Sequence, residues 1–153
     1  MPPFIAGALS GLTATVPMTA AMEAMFRHLP WSERYPLPPR KVTMEVVEML
    51  GLKSKLDEDE RHGLTIASHL GFGTAMGMAY ALVARRALPG VVGGAIFGLG
   101  VWAGNYLAAL PVAKLHPHAA REPAERNALM IAAHVVWGTA LGALFAQIRG
   151  TKS

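Results

Sequence analysis

The sequence predicts an all-helical integral membrane protein, a bundle of four spanning helices. Of its 153 residues, 52% are hydrophobic and 16% are charged, whereas a soluble globular domain carries roughly 25% charged residues. Four segments are also long and apolar enough to cross a hydrocarbon core of ~30 Å, which takes about 20 residues. They are residues 4–26, 64–84, 88–112 and 128–148. These features indicate a single transmembrane domain over residues 1–153.

The composition excludes several classes of function. The chain has no cysteine, so disulfides, thiolate zinc sites and cysteine nucleophiles are ruled out. Its net charge of +4 would indicate nucleic-acid binding only if the basic residues lay on one solvated surface. No phosphate loop, H-E-x-x-H motif or Ser-His-Asp spacing occurs. We therefore expect no enzymatic activity, no cofactor, no metal site and no nucleic-acid partner.

The first span is expected to remain in the mature protein, because Met1-Pro2-Pro3 offers no basic region and the segment is too long for a signal peptide. Pro17 predicts a kink in it. Small residues four apart occur in every span and favour close helix packing, either within the bundle or between copies of the chain. These glycines are Gly7 and Gly11, Gly73 and Gly77, Gly94 and Gly98, and Gly138 and Gly142.

The loop over residues 28–63 is expected to hold a short amphipathic helix lying at the membrane interface. The proline-rich stretch at 36–40 should be extended. Thr43 is the expected N-cap of the helix, and Gly51 is expected to close it. The acidic run at 57–60 then fits a solvated cap at the start of the second span, because the helix dipole favours carboxylates there. Pro111 is expected to end the third span.

A repeat links the second and fourth spans. The pattern I-A-x-H-x-x-x-G-T-A-x-G occurs at 66–77 and again at 131–142, an offset of 65 residues. The first and third spans resemble each other more weakly. The chain therefore reads as two helical hairpins in parallel repeat, related by an axis along the membrane normal.

Four spans place both ends of the chain and the turn at 85–89 on one side of the membrane, called side A. The loops at 28–63 and 113–127 face the other side, called side B. Side A exposes few residues, among them Arg85 and Arg86, and carries no carboxylate. By density of basic residues, the positive-inside rule favours side A as cytoplasmic.

Each span carries one strongly polar residue near its B end. These residues are Glu23, His69, Asn105 and His134. At ~1.5 Å per residue they are expected to lie roughly 6–10 Å below the B surface. Because polar groups at membrane depth usually face the bundle interior and one another, this polar layer is the candidate functional site.

Several interpretations of this layer stay open. In a purely structural one, the glutamate extends to the headgroups and the histidines donate to backbone carbonyls. In the preferred one, the layer makes a non-enzymatic membrane protein responsive to protons. A small carrier or pore subunit could use the layer as its solute site, and an accessory subunit of a larger membrane complex could use it to hold a partner. A haem held by His69 and His134 is a minor alternative.

The stretch Pro36-Leu37-Pro38-Pro39-Arg40, a histidine early in the second span and His134-Val135-Val136-Trp137 in the last resemble the YagU-type bacterial inner-membrane proteins. This resemblance implies a plasma-membrane location and a loose link to acid tolerance, but no catalytic residue. The positions that match are Pro38, Pro39, Arg40, His69, His134 and Trp137. The bilayer is the expected partner, together with further copies of the chain or the subunits of a membrane complex.

Overall fold

The computed structural model describes residues 1–84 and 90–150, and every regular element within them is helical. Four of its five main helices are long and apolar enough to cross a membrane, and the fifth is the short helix α2. The helices are α1 (Pro3–Phe26), α2 (Pro38–Met49), α3 (Glu58–Val83), α4 (Gly90–Val112) and α5 (Ala124–Arg149). Arg85, Arg86 and the first two residues of the predicted third span lie outside the described residues.

Two of the long helices begin well before the predicted spans. Helix α3 begins at Glu58 rather than at residue 64, and α5 begins at Ala124 rather than at residue 128. The N-cap of α3 is Asp57, whose side chain accepts from the Glu60 backbone N–H, while the Glu60 side chain accepts from the Asp57 N–H. The acidic run thus forms a capping box, which satisfies two otherwise unpaired backbone donors.

Helix α2 corrects the predicted start of the interfacial helix. Leu37 is its N-cap and Pro38 its first residue, so the stretch from Pro38 onward is helical rather than extended and Thr43 is not the cap. Proline suits the first helical position because the N–H it lacks would have no partner there. The predicted end is confirmed: Gly51 has a φ of +69° and donates to the Glu48 carbonyl.

Helix α4 ends at Val112, one residue after Pro111, which agrees with the predicted end of the third span. It also holds a π-helical segment at Asn105–Ala109. Within this segment the Leu110 N–H donates to the Asn105 carbonyl, five residues back. The local π geometry shifts the hydrogen-bond register directly before a proline that has no N–H to donate.

The four long helices pack in the spatial order α3, α1, α5, α4. Helix α1 packs along both α3 and α5, α5 packs along α4, and α3 and α4 scarcely touch. One link between these outer helices is Tyr80 of α3, whose ring contacts Phe97 of α4 and Phe145 of α5. Helix α2 rests on α3. The bundle is therefore closed along one seam, α1 with α5, and open along the other.

The predicted packing glycines meet inside the chain. A β-carbon at Gly7 would overlap the carbonyl oxygen of Gly77, and one at Gly94 would overlap that of Gly138. The other glycines of the set also leave no room for a β-carbon against the facing helix, between α1 and α3 or between α4 and α5. They are Gly11, Gly73, Gly98 and Gly142. These contacts occupy all eight glycines within the bundle, so none is left free to join two copies of the chain.

Candidate functional site

A cavity of about 630 Å³ occupies the B half of the open seam. Helices α3 and α4 form its sides, α1 and α5 its back, and α2 covers it toward the B surface. Its walls are largely aliphatic and aromatic. Among the lining side chains are Leu64, Phe72, Val101, Leu110, Met130 and Trp137. The cavity therefore offers an apolar volume within the range of small-molecule sites, roughly 300–1,000 Å³.

Three of the four residues of the predicted polar layer line this cavity. They are His69 from α3, Asn105 from α4 and His134 from α5. Glu23 does not join them; it is exposed on the outer surface of α1. The inner face of α1 passes through Met18 and Met22, and the next residue is turned about 100° away from that face by the helical period.

Hydrogen bonding fixes the tautomer of the neutral His134 ring. Its Nδ1 lies 2.7 Å from the carbonyl oxygen of Met130. Since a carbonyl only accepts, Nδ1 carries the proton and Nε2 of the neutral ring is a bare acceptor. Among the described residues Nε2 has no partner, so this lone pair is available inside the cavity.

The other two polar side chains also keep unused hydrogen-bonding capacity. Asn105 donates through Nδ2 to the Val101 carbonyl at 2.8 Å, which leaves its Oδ1 as an acceptor without a partner in the described part of the chain. His69 is half-buried, and neither of its ring nitrogens is paired with a described residue. Because such groups cost free energy when desolvated alone, the site is incomplete by itself.

Tyr106 is a cavity residue that sequence reasoning missed. It is buried and its ring stands edge-to-face to His134, with 5.9 Å between ring centroids. It also makes an edge-to-face contact with the ring of His116, at 5.4 Å between centroids. Tyrosines in spans are commonly interface anchors, so the sequence did not indicate that Tyr106 lines a cavity. No spacing in the sequence distinguished it from such an anchor, since its neighbour Asn105 is turned about 100° away along the helix.

The residues that carry the family resemblance surround the same cavity. Pro38 and Pro39 line it from the first turn of α2, and Trp137 lines its back. The Trp137 indole donates to the Gly11 carbonyl at 3.3 Å, across the α1–α5 seam. Arg40 forms an ion pair with Glu58 at the start of α3. These contacts place the residues that carry the resemblance at the cover and the back of the cavity.

Helix α2 is fixed to α3 at a second point. The hydroxyls of Thr43 and Ser68 lie 2.6 Å apart, and both residues line the cavity. No Asp, Glu, Lys or Arg is among the described residues that line it. In the described ranges, 1–84 and 90–150, no group of three potential metal ligands comes together. The arrangement can thus hold a neutral polar group, with apolar walls around the rest of a ligand.

A second cluster, on side B, was not anticipated from the sequence. Arg126, near the start of α5, is 3% exposed and pairs with Glu122 at 3.3 Å. It also donates to the carbonyls of Glu33 and Tyr35, and its guanidinium stacks 3.7 Å above the Tyr35 ring. The spacing of Glu122 and Arg126, four residues apart, was the signal available.

Two pKa values are shifted in this cluster. Burial of the carboxylate and the nearby charge of Glu125 raise the pKa of Glu33 above its usual 4.5. Burial and the hydrogen bond to Glu122 raise the pKa of Tyr35. The Tyr35 hydroxyl donates to that carboxylate at 2.9 Å. The cluster ties the first loop to the start of α5.

Comparison with known proteins gives a family but no activity. No curated protein and no solved structure matches the chain. The sequence pattern of one family, described as a protein of unknown function, matches residues 29–143. That stretch includes α2, α3, α4 and most of α5, and with them most of the cavity. The chain therefore belongs to the DUF1440 family of proteins of unknown function.

Proposed function

We propose that this protein is a non-enzymatic integral membrane protein that responds to acid through His69 and His134. The observation that carries the proposal is that both imidazoles line one apolar cavity to which no described residue contributes a carboxylate. Imidazole is the side chain whose unperturbed pKa lies closest to neutrality, so these two residues are the groups of the lining that acid can charge.

The groups around the two histidines offer no compensation for that charge. Helix α4 contributes the neutral side chains Asn105 and Tyr106, and the lining residues of α1 and α2 carry no titratable group. The next imidazole, His116, contacts Tyr106 but is not among the described lining residues. Protonation of His69 and His134 would therefore place two unpaired positive charges in an apolar space, at a cost in free energy.

The open seam provides the direction of movement. Helix α3 is held by α1 and α2 and scarcely touches α4, so repulsion between His69 and His134 acts across the part of the bundle with least packing. Acidification is expected to draw water into the cavity and move α3 away from α5. With side A cytoplasmic, the histidines lie near the outer face of a bacterial inner membrane. The resemblance to YagU-type proteins, with its link to acid tolerance, supports the same proposal.

The test is thermal unfolding of the purified protein in detergent between about pH 7.5 and pH 5. The wild type is expected to lose stability on acidification, and the variant His69→Ala/His134→Ala to lose much less. The matched control is His28→Ala/His62→Ala, which removes two exposed histidines outside the cavity. If the cavity variant and the wild type respond alike to acid, the proposal fails.

Three other functions for this site predict different measurements. A carrier or pore subunit would give a solute or proton flux in liposomes that the His69→Ala/His134→Ala variant lacks. An accessory subunit would bring a defined membrane partner through purification. A haem bound by the two histidines would give a Soret absorption band in the purified protein.

A further inference from the structure

We propose that the cavity binds a neutral amphiphile with a hydroxyl head, which enters from the bilayer between α3 and α4. The proposal goes beyond the acid response: it uses the same cavity but concerns the site at neutral or alkaline pH, where the histidines are uncharged. It rests on the access route, the nature of the walls and the hydrogen-bonding groups left over inside.

The route follows from the packing order of the helices. Because α3 and α4 scarcely touch, the cavity lies behind the open seam between them. Both helices are candidate membrane spans, so this seam is expected to face the bilayer. Its cover, α2, is held to α3 by the Arg40–Glu58 ion pair and by the Thr43–Ser68 contact. With the B surface covered in this way, the direct approach for an apolar molecule is sideways from the lipid.

The polar groups inside the cavity include two acceptors that a hydrogen-bond donor on a ligand could satisfy. The Nε2 of His134 and the Oδ1 of Asn105 are acceptors without partners in the described part of the chain, and both residues line the same space. A hydroxyl group donates one hydrogen bond and accepts others, so it can pair with one of these atoms and with the Tyr106 hydroxyl. Such pairing offsets the desolvation cost of the acceptor that the hydroxyl reaches.

The cavity favours an uncharged head group, because no charged side chain is among the described lining residues. A carboxylate or phosphate buried here would meet no lysine or arginine, and an ammonium group would meet no carboxylate, among the described lining residues. Burial of an unpaired charge is far more costly than burial of a hydroxyl that finds a hydrogen bond. The site should therefore prefer an alcohol over the acid of the same chain length.

Fluorescence quenching of Trp137, which lines the cavity, tests this preference. The protein carries Trp31→Phe and Trp102→Phe, so that Trp137 is its one tryptophan, and is reconstituted in lipid vesicles at about pH 8. The probes are a long-chain alcohol brominated at its far end, the matching carboxylate and the matching alkyl bromide. The alcohol is expected to quench saturably, with an affinity at least about tenfold above either of the others.

Two pairs of variants locate the site. Ala67→Phe places a ring in the cavity from α3 and is expected to abolish saturable quenching, whereas Ala75→Phe, on an exposed part of α3 outside the cavity, should leave it unchanged. Asn105→Leu is expected to weaken the binding affinity of the alcohol by about fivefold to tenfold, which corresponds to the loss of one hydrogen bond. It should leave the weak quenching by the alkyl bromide as it was.

Equal quenching by all three probes, or quenching that survives Ala67→Phe, would overturn the proposal, because either result means partition into lipid rather than binding in the cavity. Absence of quenching by the alcohol overturns it as well. The two proposals fail separately, since binding is measured where the histidines are neutral and the acid response is measured without a ligand.

Discussion

Arg126 is a charged side chain held almost wholly out of water. Its partners are the Glu122 carboxylate, the carbonyls of Glu33, Tyr35 and Pro36, and the face of the Tyr35 ring. This single residue joins a loop about 90 residues away in sequence to the first turn of α5. An arginine suits the position because its planar guanidinium offers five donors in a fixed geometry.

Arg126→Met is expected to destabilise the fold by about 3–5 kcal/mol, because it removes the cation paired with the Glu122 carboxylate and the donor to three carbonyls. Arg126→Lys should destabilise the fold less than Arg126→Met does, since it keeps the charge but not the planar geometry of the guanidinium. The free energy of unfolding in detergent measures both. Arg121→Met, the same change at an exposed position of the neighbouring loop, is the control and should have little effect. A loss no larger than that of the control would refute the assigned role.

Glu33 should give the fold a pH dependence opposite in sign to that of the histidines. Its folded pKa is raised by burial and by Glu125, so its contribution to stability is present below pH 4.5, the usual value, and is lost as pH rises through the raised value. Relative to Glu33→Gln, the wild type should therefore become less stable from about pH 4 to pH 7. Thermal unfolding of the pair, beside the exposed control Asp59→Asn, measures this, and a constant difference would contradict it.

At the scale of the helices, paired glycines set how closely neighbours approach. Gly138 of α5 lies against Gly94 of α4 with no room for a β-carbon. Gly100, which is also on α4, faces open space. Gly138→Ala is expected to cost about 1–3 kcal/mol, since the α4 backbone must shift. Gly100→Ala should be neutral or slightly stabilising, because alanine is the better helix former. Thermal unfolding distinguishes the two, and equal effects would mean that the close approach does not matter.

The sequence carried enough information to predict the helices but not where each begins. Hydropathy locates the stretch that lies in hydrocarbon, and the first turn of α3, Glu58 to Arg61, is polar because it lies beyond that stretch. Likewise, the start of α2 at Pro38 depends on the fit of proline to a first turn, a signal that the proline-rich run obscured. The π-helical segment before Pro111 shows the same limit, since hydropathy does not indicate a change of hydrogen-bond register.

The candidate site could be predicted in part, for a reason of geometry. Depth follows from counting residues along a span, and it brought His69, Asn105 and His134 to one cavity. The direction of a side chain depends on how each helix is rotated in the bundle, and that depends on its neighbours. Glu23 was misplaced for this reason, and Tyr106 was missed although it lies on the inner side of α4.

At the scale of the whole molecule, the two seams between the hairpins differ. If the hairpins were strict parallel repeats, the contact of α1 with α5 would be matched by an equal contact of α4 with α3. The first seam is packed throughout and the second is open, with α2 resting beside it. Helix α2 lies in the first loop, and its counterpart after α4 is only a short turn at Ala119–Arg121. The cavity thus exists where the two halves of the chain differ.

The orientation of the molecule decides whether the histidines can sense acid outside the cell. The N-terminal segment and the end of α5 lie together on side A, where Arg149 donates to the Met1 carbonyl, while Ser32 is exposed on side B. The chain has no cysteine, so a single introduced cysteine reports its own side without interference. In intact cells, Ser32→Cys is expected to react with a membrane-impermeant maleimide, and Pro2→Cys only after permeabilisation. The reverse pattern would put the polar layer on the cytoplasmic side, where the surrounding pH is buffered. It would therefore remove the link between the two histidines and external acid even if their titration loosens the bundle.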